Sequence, residues 1–159
     1  MTTRAELARL LELAPHPEGG RFRECYRAAG RTTAHGGERA WATSILYMLE
    51  AGERSRFHRL RSDELWHFHL GGPLELCEIA PDGTARSVVL GPEVTHGQRL
   101  FHAVPAGSWF AAAPLPETEF SLLGCTVAPG FEFADFELAD APRLAADFPH
   151  LAPLIRKHA

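Results

Sequence analysis

A histidine and a glutamate on neighbouring segments, His58 and Glu64, are the residues of this chain best suited to chemistry. An imidazole titrates near neutrality, and a carboxylate beside it can fix its tautomer, so the pair suits removal of a proton from a carbon next to a carbonyl. The resulting enolate oxygen also needs a stabilising group, for which Tyr47, Gln98 or an arginine would serve. Trp66, Phe68, Trp109 and Phe110 supply rings able to stack on a sugar or a base. The competing reading is a His–Glu hydrogen bond that satisfies two buried groups and does nothing more.

Side chains two apart on a strand share a face, so Glu64, Trp66 and Phe68 are predicted to point one way and Leu65, His67 and His69 the other. A carboxylate flanked by aromatics reads as a cavity lining, although Trp66 and Phe68 fit a plain core equally well. Upstream, residues 21–27 alternate so that Phe22, Glu24 and Tyr26 share a face. A carboxylate among aromatics is either paired or perturbed, because burying it alone is costly. Arg54, Arg56, Arg59 and Arg61 form a dense cluster. It is either a solvated face or an anion clamp for the phosphate or carboxylate of a small ligand.

A metal is not expected. His58 and Glu64 are two suitable donors, and His102 is a candidate third, whereas a catalytic zinc or iron centre generally takes three protein ligands. If a metal does bind, His58 and Glu64 hold it. His67 and His69 belong to the opposite strand face and are expected at the surface or against a partner subunit. Cys25, Cys77 and Cys125 are far apart, odd in number and in no C-x-x-C arrangement. They read as small buried hydrophobes, neither a disulfide framework nor a zinc site.

The positioning elements follow from pattern and length. A chain of 159 residues, 45% hydrophobic and 23% charged, fits one soluble globular domain spanning 1–159, with a barrel core at about 20–137. No apolar run approaches a membrane span and no signal pattern opens the chain, so the expected compartment is the cytoplasm. A net charge of -4 argues against a nucleic-acid surface. Thr3-Arg4-Ala5-Glu6 fits a capping box, followed by a helical stripe of Leu7, Leu10 and Leu11 that must stop before Pro15. Pro15-His16-Pro17-Glu18-Gly19-Gly20, with two prolines and two glycines, is a turn whose glycines let backbone approach something closely. Residues 28–39 read as a mobile loop. Strands are predicted over 41–50, 73–80, 86–90 and 120–128, with a D-G hairpin at Asp82-Gly83. Phe131, Phe133 and Phe136 either close the core or face a second subunit, and Asp140 caps a short helix that Pro149 stops. Short strands at this spacing suggest an all-β barrel or sandwich.

Gly52, His58, Glu64 and Gly71 stand at the spacing of the first cupin signature, with Leu60 where a second histidine is usual. Pro105-Ala106-Gly107 resembles the second signature, with Phe110 where a metal-binding histidine would be. The segments Pro15-His16-Pro17-Glu18-Gly19-Gly20-Arg21-Phe22, Ser62-Asp63-Glu64-Leu65-Trp66-His67-Phe68, Leu90-Gly91-Pro92, Val104-Pro105-Ala106-Gly107-Ser108-Trp109-Phe110 and Gly124-Cys125-Thr126-Val127-Ala128-Pro129-Gly130-Phe131-Glu132-Phe133 together resemble the cupin-5 family, DUF985.

The resemblance implies an all-β jelly-roll barrel with short flanking helices, paired into homodimers and structurally similar to RmlC-like sugar-nucleotide epimerases. Those relatives use a metal-free cavity with a histidine base and a tyrosine acid, roles open here to His58 and to Tyr26 or Tyr47. The expected catalytic set is therefore His58, Glu64 and Tyr47. The expected ligand-binding set is Glu24, Tyr26, Arg56, Trp66, Phe68, Gln98, Ser108, Trp109 and Phe110. The preferred function is a metal-independent epimerase or isomerase acting on a carbonyl-bearing, carbohydrate-like small molecule such as a sugar or nucleotide-sugar. A ligand-binding or sensing module without turnover stays open, as does a metal-dependent cupin enzyme.

Overall fold

Alternating apolar and polar residues, cut at short intervals by glycine and proline turns, fold into two facing antiparallel sheets. The structure is a computed structural model that describes residues 4–159. In chain order the elements are α1 (Arg4–Leu10), β1 (Ala14–Pro15), β2 (Arg21–Arg27), β3 (Arg31–Ala34), β4 (Gly37–Ala40), β5 (Thr43–Glu50), β6 (Ser55–Leu60) and β7 (Asp63–Gly71). They continue with β8 (Leu74–Ile79), β9 (Ala85–Leu90), β10 (Phe101–Val104), β11 (Trp109–Pro114), β12 (Phe120–Ala128), β13 (Phe136–Leu138), α2 (Ala141–Asp147) and α3 (Ala152–Lys157). One sheet runs β1-β2-β5-β12-β7-β10 and the other β13-β6-β11-β8-β9, the jelly-roll arrangement that the sequence resemblance implies.

The inner faces supply the main core. Tyr47, Leu49, Trp66, Leu123 and Cys125 from one sheet meet Leu60, Leu74, Leu76 and Phe110 from the other. The outer faces are covered by the helices. Leu7 and Ala8 of α1 pack on Met48 and Leu122, while Leu144 and Ile155 of α2 and α3 pack on Phe57, Cys77 and Ile79. Asp140 caps α2, its Oδ1 accepting from the Arg143 N–H at 3.0 Å. Thr3 of the expected capping box lies outside the described residues. No helix among the described residues is long and apolar enough to cross a membrane.

Two departures from the sequence pattern bear on the site. Residues 28–39 include a β-hairpin, β3–β4, closing on His35 and Gly36, both at positive φ as two-residue hairpin turns favour. Small and charged residues hide its alternation. The second departure is a register shift in the β2–β5 ladder between Glu24 and Tyr26, which leaves Cys25 as the extra residue of a bulge. Glu24 stays on the inner face, but the following residues exchange sides. Tyr26 turns out to 57% exposure, Arg27 turns in, and Cys25 is exposed, against the expectation that all three cysteines are buried.

Candidate functional site

A cavity of about 110 Å³ opens between the two sheets. Its floor comes from β5, β6, β7 and β12, and one wall from the turn at residues 16–20. That turn is strapped down by its own backbone. His16 N–H donates to the Gly20 carbonyl and Gly19 N–H to the His16 carbonyl, both at 3.0 Å, and Arg56 N–H reaches the Glu18 carbonyl at 3.0 Å. Gly19 has φ +115°, and a Cβ built there would stand 2.0 Å from the Arg54 carbonyl oxygen. Only glycine lets the turn lie this close to β6. The turn drives His16 and Glu18 into the cavity beside His58.

His58 is almost wholly buried. Its Nδ1 is 2.8 Å from the Arg56 carbonyl, an acceptor only, so Nδ1 carries the proton and Nε2 faces the cavity. The Arg56 backbone therefore fixes this tautomer, the role expected of Glu64. Nε2 lies 3.1 Å from Glu18 Oε2, close enough to exchange a proton with it, and 4.0 Å from Glu64 Oε2. The other Glu18 oxygen accepts from Ser55 Oγ at 2.8 Å. His16 Nδ1 is 3.6 Å from Glu18, and burial pushes this imidazole below its ordinary value despite the carboxylate.

Glu64 is electrostatically different from Glu18. Burial first, and the neighbouring Glu18 charge second, hold its carboxyl well above the usual range, against weaker opposition from the Trp66 indole and the Cys125 thiol. This environment favours its neutral acid over the carboxylate. Its Oε2 is buried without a hydrogen-bond partner, as is Trp66 Nε1. Such an orphan group is costly unless something else meets it. Burial likewise pushes the Cys125 thiol up.

Aromatic rings frame the remaining walls. Phe22 meets the His16 ring edge-on at 4.6 Å between centroids and Phe136 lies 5.5 Å from the His58 ring, which Phe110 backs from the core at 4.1 Å. Phe131, Phe133 and Phe136 belong to the segment before and within β13. That segment is tied to β4 by a buried fork in which Arg39 Nε and Nη2 donate to Asp135 at 2.6 and 2.9 Å. Arg27 donates to both oxygens of Glu24 at 2.9 Å and to Glu132 at 2.8 Å. Among the described residues it is the one arginine lining the cavity, and its charge is matched by those carboxylates.

The sequence-predicted residues divide accordingly. His58, Glu64, Tyr47 and Glu24 line the cavity. Tyr47 is tied down, its hydroxyl donating to the Gly19 carbonyl at 2.7 Å, and burial holds its pKa well above the ordinary value. Trp66, Phe68 and Phe110 form the core behind the cavity wall, with Trp66 edge-on to both Tyr47 and Phe110. The other expected ligand-binding residues lie elsewhere. Tyr26 is outside because of the bulge, and Arg56 points away, donating to the Pro17 carbonyl at 2.7 Å. Gln98 closes its own loop on the Glu93 N–H, Ser108 is buried away from the cavity, and Trp109 lies under the Arg59 guanidinium. The arginine cluster makes no clamp, since Arg54, Arg59 and Arg61 reach Lys157, Glu137 and His35 instead. His102, the candidate third ligand, is paired with Glu78 at 3.0 Å and does not line the cavity. Sequence pattern alone does not single out His16 and Glu18 as chemical groups. Their signal is a pair of ionisable residues, one on each side of Pro17, leading into a glycine pair that permits close backbone approach.

Residues 5–139 match the family model Cupin_5, described as Cupin superfamily (DUF985). A yeast relative, the Uncharacterized protein YML079W of Saccharomyces cerevisiae, is 29% identical over 139 residues, 78% of this chain and 69% of that protein. A hypothetical protein from Leishmania major superposes with a TM-score of 0.94 at 32% identity, covering 99% of this chain and 98% of that one. Protein SO0799 from Shewanella oneidensis gives 0.93 at 37% identity, covering 100% and 98%. Oxalate decarboxylase from Lactobacillus farciminis gives 0.59 at 14% identity over 86% of this chain and 38% of that chain, a likeness of fold alone.

Proposed function

The chain belongs to the Cupin_5 (DUF985) family of the cupin superfamily, and from that premise we propose that it is a metal-independent acid–base isomerase or epimerase for a small neutral carbonyl compound. The observation that carries this reading is one cavity wall on which Glu64, a buried carboxyl with an unpartnered oxygen, stands next to Glu18 and His58, themselves 3.1 Å apart.

The chemistry is a proton shuttle without net redox change. The Glu18–His58 pair takes the proton from the carbon beside the carbonyl, and the electron pair of that C–H bond moves into the carbonyl π system. Glu64 hands its proton to the carbonyl oxygen, giving a neutral enol. Returning one proton to carbon and one to Glu64 completes an isomerisation or an epimerisation. An acid kept neutral by burial is well suited to meet charge developing on oxygen. Tyr47, tied to Gly19, leaves that role to Glu64.

A metal of the usual cupin kind does not fit these residues. Leu60 and Phe110 stand at two of the four usual ligand positions, and the Phe110 ring packs on His58. The ligand is assigned as uncharged because Arg27 is engaged by Glu24 and Glu132, while no other arginine of the described residues reaches the cavity. Carbon-bound hydrogen exchange tests the reading. Short-chain ketoses and aldoses incubated with the protein in deuterated water are expected to lose their α-proton NMR signals, and His58→Ala is expected to stop this. Ligand-induced shifts with no exchange would assign the cavity to a binding module instead.

A further inference from the structure

On the outer face of the five-stranded sheet, away from the cavity, Glu75 and Cys77 of β8 meet His158, the residue just after α3. One ligating atom from each lies within 4.8 Å of the other two. Cys77 Sγ and His158 Nε2 are 3.7 Å apart. In a tetrahedral zinc centre, metal–sulfur and metal–nitrogen bonds of about 2.3 and 2.0 Å set the two donors roughly 3.5 Å apart. The pair already stands close to a coordinating bite.

Burial makes the arrangement informative. His158 is 1% exposed and Cys77 0%. An imidazole so enclosed normally has good partners for its nitrogens. Here Nε2 meets only a thiol, a weak hydrogen-bonding group, and Nδ1 has no partner. Ser87 Oγ, 3.2 Å from Cys77 Sγ, is placed to support a thiolate from behind. Glu75 is held by Lys157 Nζ at 2.8 Å, and that lysine side chain is 60% exposed, so it can swing into water and release the carboxylate.

We propose that Glu75, Cys77 and His158 form a zinc-binding site that fastens the C-terminal helix to the barrel. Thiolate, imidazole and carboxylate together favour zinc over magnesium or calcium, and a solvent molecule completes the tetrahedron. Binding transfers the Cys77 thiol proton to water as the sulfur–zinc bond forms, so the reaction is a proton-for-metal exchange with no redox step.

The test uses the whole chain, stripped of metal and titrated with Co²⁺ and then Zn²⁺. One equivalent of Co²⁺ is expected to give a thiolate-to-cobalt charge-transfer band, which Zn²⁺ removes while raising the Tm. Losing a group that only hydrogen-bonds to a metal ligand lowers affinity by about 10–100-fold, so Cys77→Ser, which removes a ligand, should weaken binding by at least about 100-fold. His58→Ala should leave the band unchanged. Absence of a thiolate band in the unaltered protein overturns the proposal, and this reading stands even if Cys77→Ser does not fold. So does a band that survives in Cys77→Ser, which would move the metal to Cys25 or Cys125, or one that disappears in His58→Ala.

Discussion

Glu18 Oε2 lies 3.1 Å from His58 Nε2, although Glu18 comes from an irregular turn and His58 from the middle of β6. Because His58 Nδ1 is engaged by the Arg56 carbonyl, this contact sets how the cavity-facing nitrogen exchanges protons. Glu18→Gln keeps the shape and removes the carboxylate. We expect α-proton exchange to fall by about 10²–10⁴-fold, the usual contribution of a positioned acid or base, with little change in ligand affinity. Rates within threefold of the unaltered protein would remove Glu18 from the chemistry.

How much of this was legible in the sequence depended on how local each signal was. The strands, the Asp82-Gly83 hairpin and the Asp140 cap follow from short-range pattern, and each appears. The family resemblance located His58 and Glu64. It could not show that the bulge at Cys25 turns Tyr26 out and Arg27 in, because one inserted residue leaves the alternation of residues 21–27 looking regular. Nor could spacing join Glu18 to His58, or Cys77 to His158, since those meetings are made by packing between segments distant in the chain.

Tyr47→Phe separates scaffolding from catalysis. Its hydroxyl donates to Gly19 at 2.7 Å, so the loss should cost about 1–3 kcal/mol, including the carbonyl left unsatisfied. Chemical denaturation measures that cost. Exchange should stay within about threefold, well short of the effect of losing an acid or base. A folded variant whose rate drops a hundredfold would mean that the tyrosine hydroxyl acts on the substrate.

Gly19→Ala tests the turn itself. At φ +115° an added Cβ would stand 2.0 Å from the Arg54 carbonyl oxygen, which belongs to backbone and cannot swing aside. The expected loss is more than about 2 kcal/mol, with exchange reduced as Glu18 shifts. Gly36→Ala is the control, because its φ is +84° but nothing lies within 4 Å of the added atom. It should cost roughly 1–2 kcal/mol and leave exchange intact. Equal losses in the two variants would show that the turn is not pressed against β6 in solution.

Glu64→Gln has opposite effects on stability and activity. Burial and the Glu18 charge raise the folded-state pKa of Glu64 above its ordinary 4.5. Below that value the carboxyl is protonated in both states and carries no penalty. As pH rises past it, the unfolded chain releases the proton while the folded chain keeps it, so stability falls by about 1.4 kcal/mol per pH unit until the folded group titrates. An amide in its place cannot ionise, so the variant should be more stable than the unaltered protein at neutral pH and should converge with it in acid. Exchange should drop by about 10²–10⁴-fold because the proton donor to the carbonyl oxygen is gone. Denaturant midpoints measured from acid to neutral pH decide the matter. Parallel curves for the two proteins would mean that Glu64 ionises normally, and the neutral acid on which the proton shuttle depends would not exist.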